Sequence, residues 1–381
     1  MTDTTTSGLQ PFHVMEILAE AKALEAEGRS IIHLSAGEPG APPAPEVRAA
    51  VRAVLDQPQR YTPAKGISPL RLALSVHYQR QHGVAVDPER IVVTTGSSAG
   101  FLLAFLAAIP AGGRIAVTRP GYPAYLNTIY GMGFSPVEIP VFAENGWKLT
   151  AEALRAAHEA TPFDGLLLAS PANPTGAALD RAELDGLADV AVEIGIELIS
   201  DEIYHGLDYR ASSPSALEHT NDAVVINSFS KYHCMTGWRV GWMVLPERLV
   251  RKTEMLQQNL FISAPTLSQI AAVAALGATD YAEAQKLAYR RNRDVLAAGL
   301  TALGIDGAPG DGAFYHYAEI SRFSNDSMVF ARALLRQAGV AAAPGVDFDR
   351  IEGHRYMRFC YAGTPGEIDE ALERIGRFVA G

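Results

Sequence analysis

Short apolar runs alternate with amphipathic stretches along most of the chain, and this alternation predicts its secondary structure. Seven runs of four to six residues are rich in Val, Ile and Leu, and each predicts a buried strand. They are Ile91–Thr95, Ile115–Thr118, Val137–Val141, Leu166–Ser170, Ile196–Ser200, Val224–Ser228 and Val240–Leu245. Runs that are apolar throughout are typical of strands covered on both faces. Because helical stretches separate many of them, the pattern predicts an α/β fold whose mostly parallel, seven-stranded sheet is sandwiched by helices.

The pattern changes after about residue 270. Helical segments at 268–276 and 281–303 precede two strand-like pieces, 313–319 and 356–361, with a helix at 328–338 between them. Prolines at positions 42, 43 and 45 mark a break near the other end of the chain. We therefore expect a large domain over residues 46–270 and a smaller α+β domain formed by residues 1–45 with 271–381.

Composition narrows the class of protein. Of 381 residues, 48% are hydrophobic, and the net charge of −10 argues against a nucleic-acid or anionic-membrane partner. Met1–Ser7 lacks the charged-then-apolar order of a signal peptide, and the apolar run Phe101–Ile109 falls short of the roughly 18 residues that a bilayer span needs. Two cysteines, Cys234 and Cys360, cannot form a disulfide framework. We expect a soluble, cytoplasmic protein.

The residues that follow the sixth predicted strand carry the clearest chemistry, since ligands of open α/β sheets bind beyond the strands' carboxyl ends. One of only six lysines, Lys231, lies there beside Ser228 and Ser230. A lysine forms a Schiff base with an aldehyde cofactor, although an isolated Ser-Lys pair is more often a surface feature. Arg239 follows eight residues later and, with the two hydroxyls, suits a phosphate. Alone, it could equally be a structural ion-pair partner.

Other strand ends add weaker signals of the same kind. Small residues at 95–100 begin a helix whose backbone N–H groups could close around an anion. Asp201 could hold a heterocyclic nitrogen protonated or merely cap a helix, and Tyr204 lies three residues beyond it. Asn173 and Tyr122 lie in Pro- and Gly-containing segments that by themselves predict only a loop and a turn. The order of these residues along successive strand ends is more specific than any one of them.

In the order of these residues along its strands, the chain resembles the pyridoxal-phosphate-dependent aminotransferases of the class I/II family. Within that family it is similar to the fold-type-I group related to aspartate aminotransferase. The resemblance extends from Leu34–Pro39 to Arg358–Ala362. Its most specific part is Ser-x-Ser-Lys followed eight residues later by Arg, within Ser228–Gly241. The family implies an enzyme that moves the amino group of an α-amino acid to a 2-oxo acid, using pyridoxal 5′-phosphate.

The resemblance also implies a role for each matching residue. Lys231 would form the Schiff base with pyridoxal phosphate and later shuttle a proton, while Asp201 pairs with the pyridine nitrogen. Asn173 and Tyr204 would hydrogen-bond the 3′-oxygen of the ring, and Tyr122 would stack on its face. The residues implied to hold the phosphate are Ser97, Ser98, Ser228, Ser230 and Arg239.

Three further residues are implied to serve the substrate or a second subunit. Arg358 would clamp the substrate α-carboxylate, with the Gly37 backbone and Asn173 beside it. Tyr61, in the segment Tyr61–Gly66, resembles the tyrosine that reaches the phosphate of the neighbouring subunit. The family therefore implies a homodimer with shared active sites.

Two alternatives stay open at this point. A carbon–sulfur β-lyase on the same scaffold would share every cofactor-binding residue. A non-enzymatic regulator with an aminotransferase-like domain would need a basic DNA-binding region, which the acidic chain argues against.

For the substrate, the dicarboxylate subgroups place a cation near residues 257–259 or near Ser98, and neither place is basic here. We therefore expect neutral, aliphatic or aromatic amino acids as substrates.

Overall fold

The computed structural model describes residues 8–210 and 212–381. Met1–Ser7, to which the expectation of no signal peptide refers, lies outside these residues. The strands in chain order are β1 Ile32–Leu34, β2 Ile91–Thr94, β3 Arg114–Arg119, β4 Ser135–Pro140, β5 Gly165–Ala169, β6 Glu197–Asp201, β7 Val224–Ser228, β8 Gly241–Val244, β9 Tyr315–Glu319, β10 Val340–Pro344 and β11 Tyr356–Cys360. All seven strands predicted between residues 91 and 245 are present, with shifts of one or two residues at their ends.

The seven strands β2 to β8 form one sheet in the order β2-β8-β7-β6-β5-β3-β4. β8 is antiparallel to both of its neighbours, and the other pairings are parallel. Both faces are covered: Leu166 and Leu168 of β5 pack into one core, while Leu167 packs into another on the opposite face. The predicted α/β class and the mostly parallel, seven-stranded sheet are confirmed.

Helices cover both faces of this sheet and surround the second one. They are α1 His13–Ala26, α2 Pro45–Arg52, α3 Ser68–His82, α4 Gly96–Ala108, α5 Pro123–Gly131, α6 Ala151–Ala160, α7 Arg181–Ile194, α8 Glu247–Leu260, α9 Thr266–Ala275, α10 Thr279–Ala302, α11 Ser327–Ala333 and α12 Pro365–Val379. In the described part of the chain, no helix combines the length and the apolar character that crossing a bilayer requires.

A second sheet has the order β1-β10-β11-β9. The sequence pattern missed β1 and β10, because one is only three residues long and the other is rich in alanine, a poor strand former. Each is stabilised by pairing with the other, as Ile32 lies beside Val340. The predicted helix 328–338 is α11 followed by a π-helical turn at Leu334–Ala338. The division into domains 46–270 and 1–45 with 271–381 stays a proposal, supported by the separate strand content of the two sheets.

Candidate active site

A buried carboxylate lies at the end of β6, in the middle of the large sheet. Asp201 is 3% exposed; its Oδ1 accepts from the Ile203 amide at 3.1 Å and its Oδ2 accepts from the Tyr125 hydroxyl. No basic side chain of the described residues forms an ion pair with it, and burial raises its pKa to about 6. The site therefore holds an acid that favours a cationic partner over solvent.

An amine faces this region from the loop that follows β7. The Lys231 Nζ donates to the Gly37 carbonyl at 2.5 Å, which joins the end of the large sheet to the segment after β1. Desolvation lowers the pKa of Lys231 to about 8, and no carboxylate lies within ion-pair distance in the described part of the chain. A large fraction of this amine is thus neutral, and nucleophilic, at mildly basic pH.

Hydroxyl, amide and guanidinium groups form a cradle at the ends of β2 and β7. The Ser228 and Ser230 hydroxyls are 2.8 Å apart, and Ser228 pairs with Gly241 of β8. Gly96 begins α4 with a φ of +74°, and the Arg239 guanidinium occupies the space that a Cβ at Gly96 would take. The backbone amide of Ser97 also lies beside Gly241. A helix N-terminus, two hydroxyls and a guanidinium together favour an anion with several oxygens.

A second cation is almost completely buried on β11 of the small sheet. Arg358 is 3% exposed; its Nη1 donates to the Asn173 Oδ1 at 2.8 Å and its Nη2 to the Ser35 carbonyl at 2.6 Å. Its Nε has no hydrogen-bond partner among the described residues. The guanidinium carbon lies 4.3 Å from the centre of the Tyr315 ring and 4.7 Å from the centre of the Phe348 ring. This is a desolvated cation with a free donor and no carboxylate to pair with in the described chain.

A model of the family described as aminotransferase class I and II matches residues 29–375. The chain belongs to the class I and II aminotransferases. It is 45% identical over its whole length to the valine–pyruvate aminotransferase of Mycobacterium tuberculosis, of which it covers 99%. The crystal structure of an aminotransferase from Mycobacterium tuberculosis superposes with a TM-score of 0.95 at 44% identity, covering 100% of this chain and 99% of the other.

A more distant aminotransferase has the same fold. The aspartate aminotransferase from Thermus thermophilus with maleate superposes with a TM-score of 0.92 at 32% identity, over 99% of each chain. The predicted family and the predicted activity, transfer of an amino group, are confirmed. The proteins compared here are named as aminotransferases, so nothing among them supports the β-lyase alternative. Members of this class use pyridoxal phosphate.

The tyrosines that the resemblance selects lie around the same space in this aminotransferase, with one exception. The Tyr204 hydroxyl is 2.7 Å from that of Tyr315, and Tyr122 meets Tyr125 edge to face at 5.3 Å. Tyr61, however, is 82% exposed. Ser98 is also exposed, although it lies in the first turn of α4 with the other cradle residues.

Four residues that contact the candidate site were not predicted from the sequence: Ser35, Tyr125, Tyr315 and Phe348. Tyr125 had a usable signal, because it lies three residues after Tyr122 and so on the same helix face. The other three lie on or beside the small sheet, away from the strand ends of the large sheet. Among the described residues, no cluster of His, Cys, Asp and Glu has the arrangement of a metal site.

Proposed function

We propose that this aminotransferase moves the amino group of a neutral α-amino acid to a 2-oxo acid, with pyridoxal phosphate held by Lys231, Asp201 and the serine–arginine cradle. One observation carries the proposal. Asp201 and Arg358 are almost completely buried and Lys231 is half-buried, and none of the three has an oppositely charged partner within 4 Å in the described chain. Such groups are costly unless a ligand completes them.

The chemistry of these residues matches the groups of pyridoxal phosphate. Asp201, with an unpaired carboxylate, would hold the pyridine nitrogen in its protonated form. The cradle of Ser97, Ser228, Ser230 and Arg239 matches a phosphate, and Lys231 lies where it could bind an aldehyde. Tyr122, directly before α5, would cover the ring, while Asn173 and Tyr204 would donate to its oxygen.

When bound, pyridoxal phosphate supplies an aldehyde that condenses with amines and a protonated ring that withdraws electrons from the amino-acid α-carbon. The protein contributes the protonation states. Since its pKa is lowered to about 8, Lys231 would be a good base for the proton on the substrate's α-carbon and, once protonated, could return that proton to the aldehyde carbon of the cofactor. Asp201 would keep its negative charge once a cationic nitrogen faces it, because an opposite charge offsets the effect of burial.

Arg358 and Asn173 would orient the substrate. The Asn173 Oδ1 already accepts from Arg358, so its NH₂ group remains free to donate elsewhere. The unpartnered Nε of Arg358, with an adjacent Nη, offers a fork that matches a carboxylate. This grip would fix the direction of the α-hydrogen relative to the Lys231 amine, which is the geometric requirement for proton transfer.

The surroundings of Arg358 favour a neutral side chain on the substrate. The aromatic rings of Phe348 and Tyr315 flank the guanidinium, and the ring of Phe12 packs against Tyr122 at 6.2 Å. Gln257, near which the dicarboxylate subgroup would place a cation, has an uncharged side chain. It is fully buried and donates to the Val93 carbonyl, so it is not available to bind a second carboxylate. The similarity to a valine–pyruvate aminotransferase supports the same substrate class.

We further propose that two copies of the chain share their active sites and that they work in the cytoplasm. The side chain of Tyr61 is 82% exposed on its own chain, which fits a residue that serves the neighbouring subunit's phosphate. Both cysteines, Cys234 and Cys360, are free and buried, as expected in a reducing compartment.

A visible spectrum of the purified enzyme tests the cofactor assignment. We expect an absorbance band in the violet that Lys231→Ala abolishes and Lys252→Ala leaves unchanged, because Lys252 instead donates to the Ala107 carbonyl on α4. The proposal would be wrong if the Lys231→Ala protein still held the cofactor as an imine to the protein.

A panel of amino donors tests the substrate class. We expect turnover of valine, alanine or phenylalanine with a 2-oxo acid, with stoichiometric appearance of the new oxo acid and no ammonia. A clear preference for aspartate or glutamate over every neutral donor would contradict the neutral pocket. Stoichiometric ammonia and pyruvate from a β-substituted amino acid would instead identify a lyase.

A further inference from the structure

Tyr315, a residue without an assigned role, contacts three parts of the candidate active site. It lies on β9 and is 1% exposed. Its hydroxyl is 2.7 Å from that of Tyr204, and its ring lies 4.3 Å from the Arg358 guanidinium. The hydroxyl also fills the space in which a Cβ at Gly37 would lie, and the Gly37 carbonyl accepts from Lys231.

The direction of the tyrosine–tyrosine hydrogen bond follows from the proposed function, on which this inference rests. If Tyr204 donates its single proton to the cofactor's oxygen, its own oxygen must accept from Tyr315. The Tyr315 hydroxyl has no other hydrogen-bond partner in the described chain, so it is free to donate in this direction. A donor of this kind fixes the direction of the Tyr204 O–H group. It also strengthens the hydrogen bond from Tyr204 to the cofactor's oxygen, since consecutive hydrogen bonds polarise one another.

The ring of Tyr315 has a separate effect on Arg358. The hydrogen bonds to Asn173 and Ser35 fix the Nη groups of Arg358, and an aromatic face against the guanidinium also restricts the plane in which it lies. The ring of Phe348 is a second aromatic contact of the guanidinium, at 4.7 Å. With both rings in place, the Nε and Nη donors of Arg358 are held in the orientation that a carboxylate needs before the substrate arrives.

We propose that Tyr315 is a positioning residue of this aminotransferase, which aligns Tyr204 through its hydroxyl and Arg358 through its ring. It does not touch the reacting atoms. Its hydroxyl sets the hydrogen bonding to the cofactor's ring oxygen, and its ring sets the grip on the substrate carboxylate. The two effects belong to different atoms of one side chain, so different substitutions separate them.

The pH titration of the visible absorbance of the pyridoxal-phosphate-loaded enzyme tests the hydroxyl. In Tyr315→Phe we expect the pKa of the absorbance change to rise by roughly half a unit to one unit, since an oxygen anion that loses donor strength holds a neighbouring proton more tightly. Tyr209→Phe is the matched control, because its buried hydroxyl donates to the Ala313 carbonyl at 2.5 Å, two residues before Tyr315. We expect no change of the spectroscopic pKa there.

A double variant shows whether the effect passes through Tyr204. We expect Tyr204→Phe with Tyr315→Phe to titrate at the pKa of Tyr204→Phe alone, since the second hydroxyl has nothing left to align. Independent, additive shifts would overturn the proposal, as would a shift in Tyr209→Phe equal to that in Tyr315→Phe.

Should Tyr315→Phe not fold, a fluorotyrosine at 315 keeps the ring and the hydroxyl. Its stronger donation should lower the spectroscopic pKa, and an unchanged value would again overturn the proposal.

Substrate kinetics test the ring. Tyr315→Phe should keep the KM for the amino donor within about twofold, whereas Tyr315→Leu should raise it about tenfold. Equal KM values in the two variants would contradict the proposed contact with Arg358.

The experiments distinguish a failure of this inference from a failure of the proposed function. A parent enzyme without Lys231-dependent absorbance would refute the cofactor assignment. Parent absorbance that Tyr315→Phe leaves unshifted would refute only the role of Tyr315.

Discussion

The Arg358 Nη1 donates to the Asn173 Oδ1 at 2.8 Å, which joins a strand of the small sheet to the loop that follows β5 of the large one. The bond forms between residues that are 185 positions apart and both more than nine-tenths buried. It aligns the group proposed to hold the substrate with the group proposed to hold the cofactor's oxygen. The relative position of the two sheets is therefore a determinant of the chemistry.

The fork of Arg358 should matter more than its charge. We expect Arg358→Lys to lower kcat/KM for the amino donor by about 10- to 100-fold, because an ammonium cannot reproduce two parallel donors to a carboxylate while also reaching Asn173. Steady-state kinetics measure this loss. Arg377→Lys, at an exposed position on α12 paired with Glu373, is the control and should change nothing. Full activity in Arg358→Lys would refute the proposed clamp.

A methyl group at Gly37 should displace the Tyr315 hydroxyl. In Gly37→Ala, the added Cβ would overlap the Tyr315 hydroxyl, which cannot move because it is buried and bonded to Tyr204. We expect a loss of about 1–3 kcal/mol in the free energy of unfolding and a fall in activity, measured by denaturant titration and assay. Gly366→Ala, which meets nothing within 4 Å in the first turn of α12, should be neutral or slightly stabilising.

Replacing the buried carboxylate should separate stability from activity. In Asp201→Asn we expect kcat to fall by about 10³-fold, since an amide cannot hold the ring nitrogen protonated. The free energy of unfolding of the cofactor-free protein should stay within about 1 kcal/mol of the parent, because removing an unpaired buried charge offsets the weakened hydrogen bond from Tyr125. A large loss of stability with proportionate loss of activity would indicate a structural role instead.

Glu202 should make the stability of the protein depend on pH. It is 1% exposed, and burial raises its pKa to about 8 from an ordinary value of 4.5. The folded state thus binds the proton more tightly than the unfolded state. Its contribution to stability is complete below about pH 4.5 and is lost as the pH rises through about 8.

Glu202→Gln mimics the protonated acid and should remove this dependence. The difference in unfolding temperature, variant minus parent, should become more positive between pH 5 and pH 9. The underlying free energy is roughly 1.4 kcal/mol for each unit of pKa shift. Glu254→Gln, at a partly exposed residue paired with Arg251, should show no such trend. A difference that does not vary with pH would contradict the raised pKa.

Hybrid dimers should show which subunit Tyr61 serves. Alone, Tyr61→Phe should weaken cofactor affinity by about tenfold, because a phosphate contact is lost. When Tyr61→Phe subunits are mixed with Lys231→Ala subunits, the hybrid has one site with an intact lysine and an intact neighbouring tyrosine. That site should bind the cofactor with the parent's affinity, as absorbance titration would report. Weak binding in every species would place Tyr61 outside the neighbour's site.

Local pattern was sufficient for most of the large sheet and for the residues at its strand ends. The apolar runs ending at Ser200 and Ser228 predicted buried strands and placed Asp201 and Lys231 just beyond them, while the roles of these two residues came from the resemblance to the family. In such cases the informative residues are close together in the sequence. Chain connectivity alone brings them to one edge of a parallel sheet.

Tertiary structure decided the contacts between residues that are far apart in the chain. The pairing of β1 with β10, the hydrogen bond from Tyr125 to Asp201 and the contact of Tyr315 with Tyr204 leave no periodic signal in the sequence. The sequence around each partner does not indicate the contact, because the contact forms only when packing brings the two residues together and excludes water from both. The sequence by itself thus determined the family, the large sheet and the identity of the reactive groups. Only the folded chain determined how those groups are oriented, because hydrogen-bond direction and burial depend on the packing of the two sheets against each other.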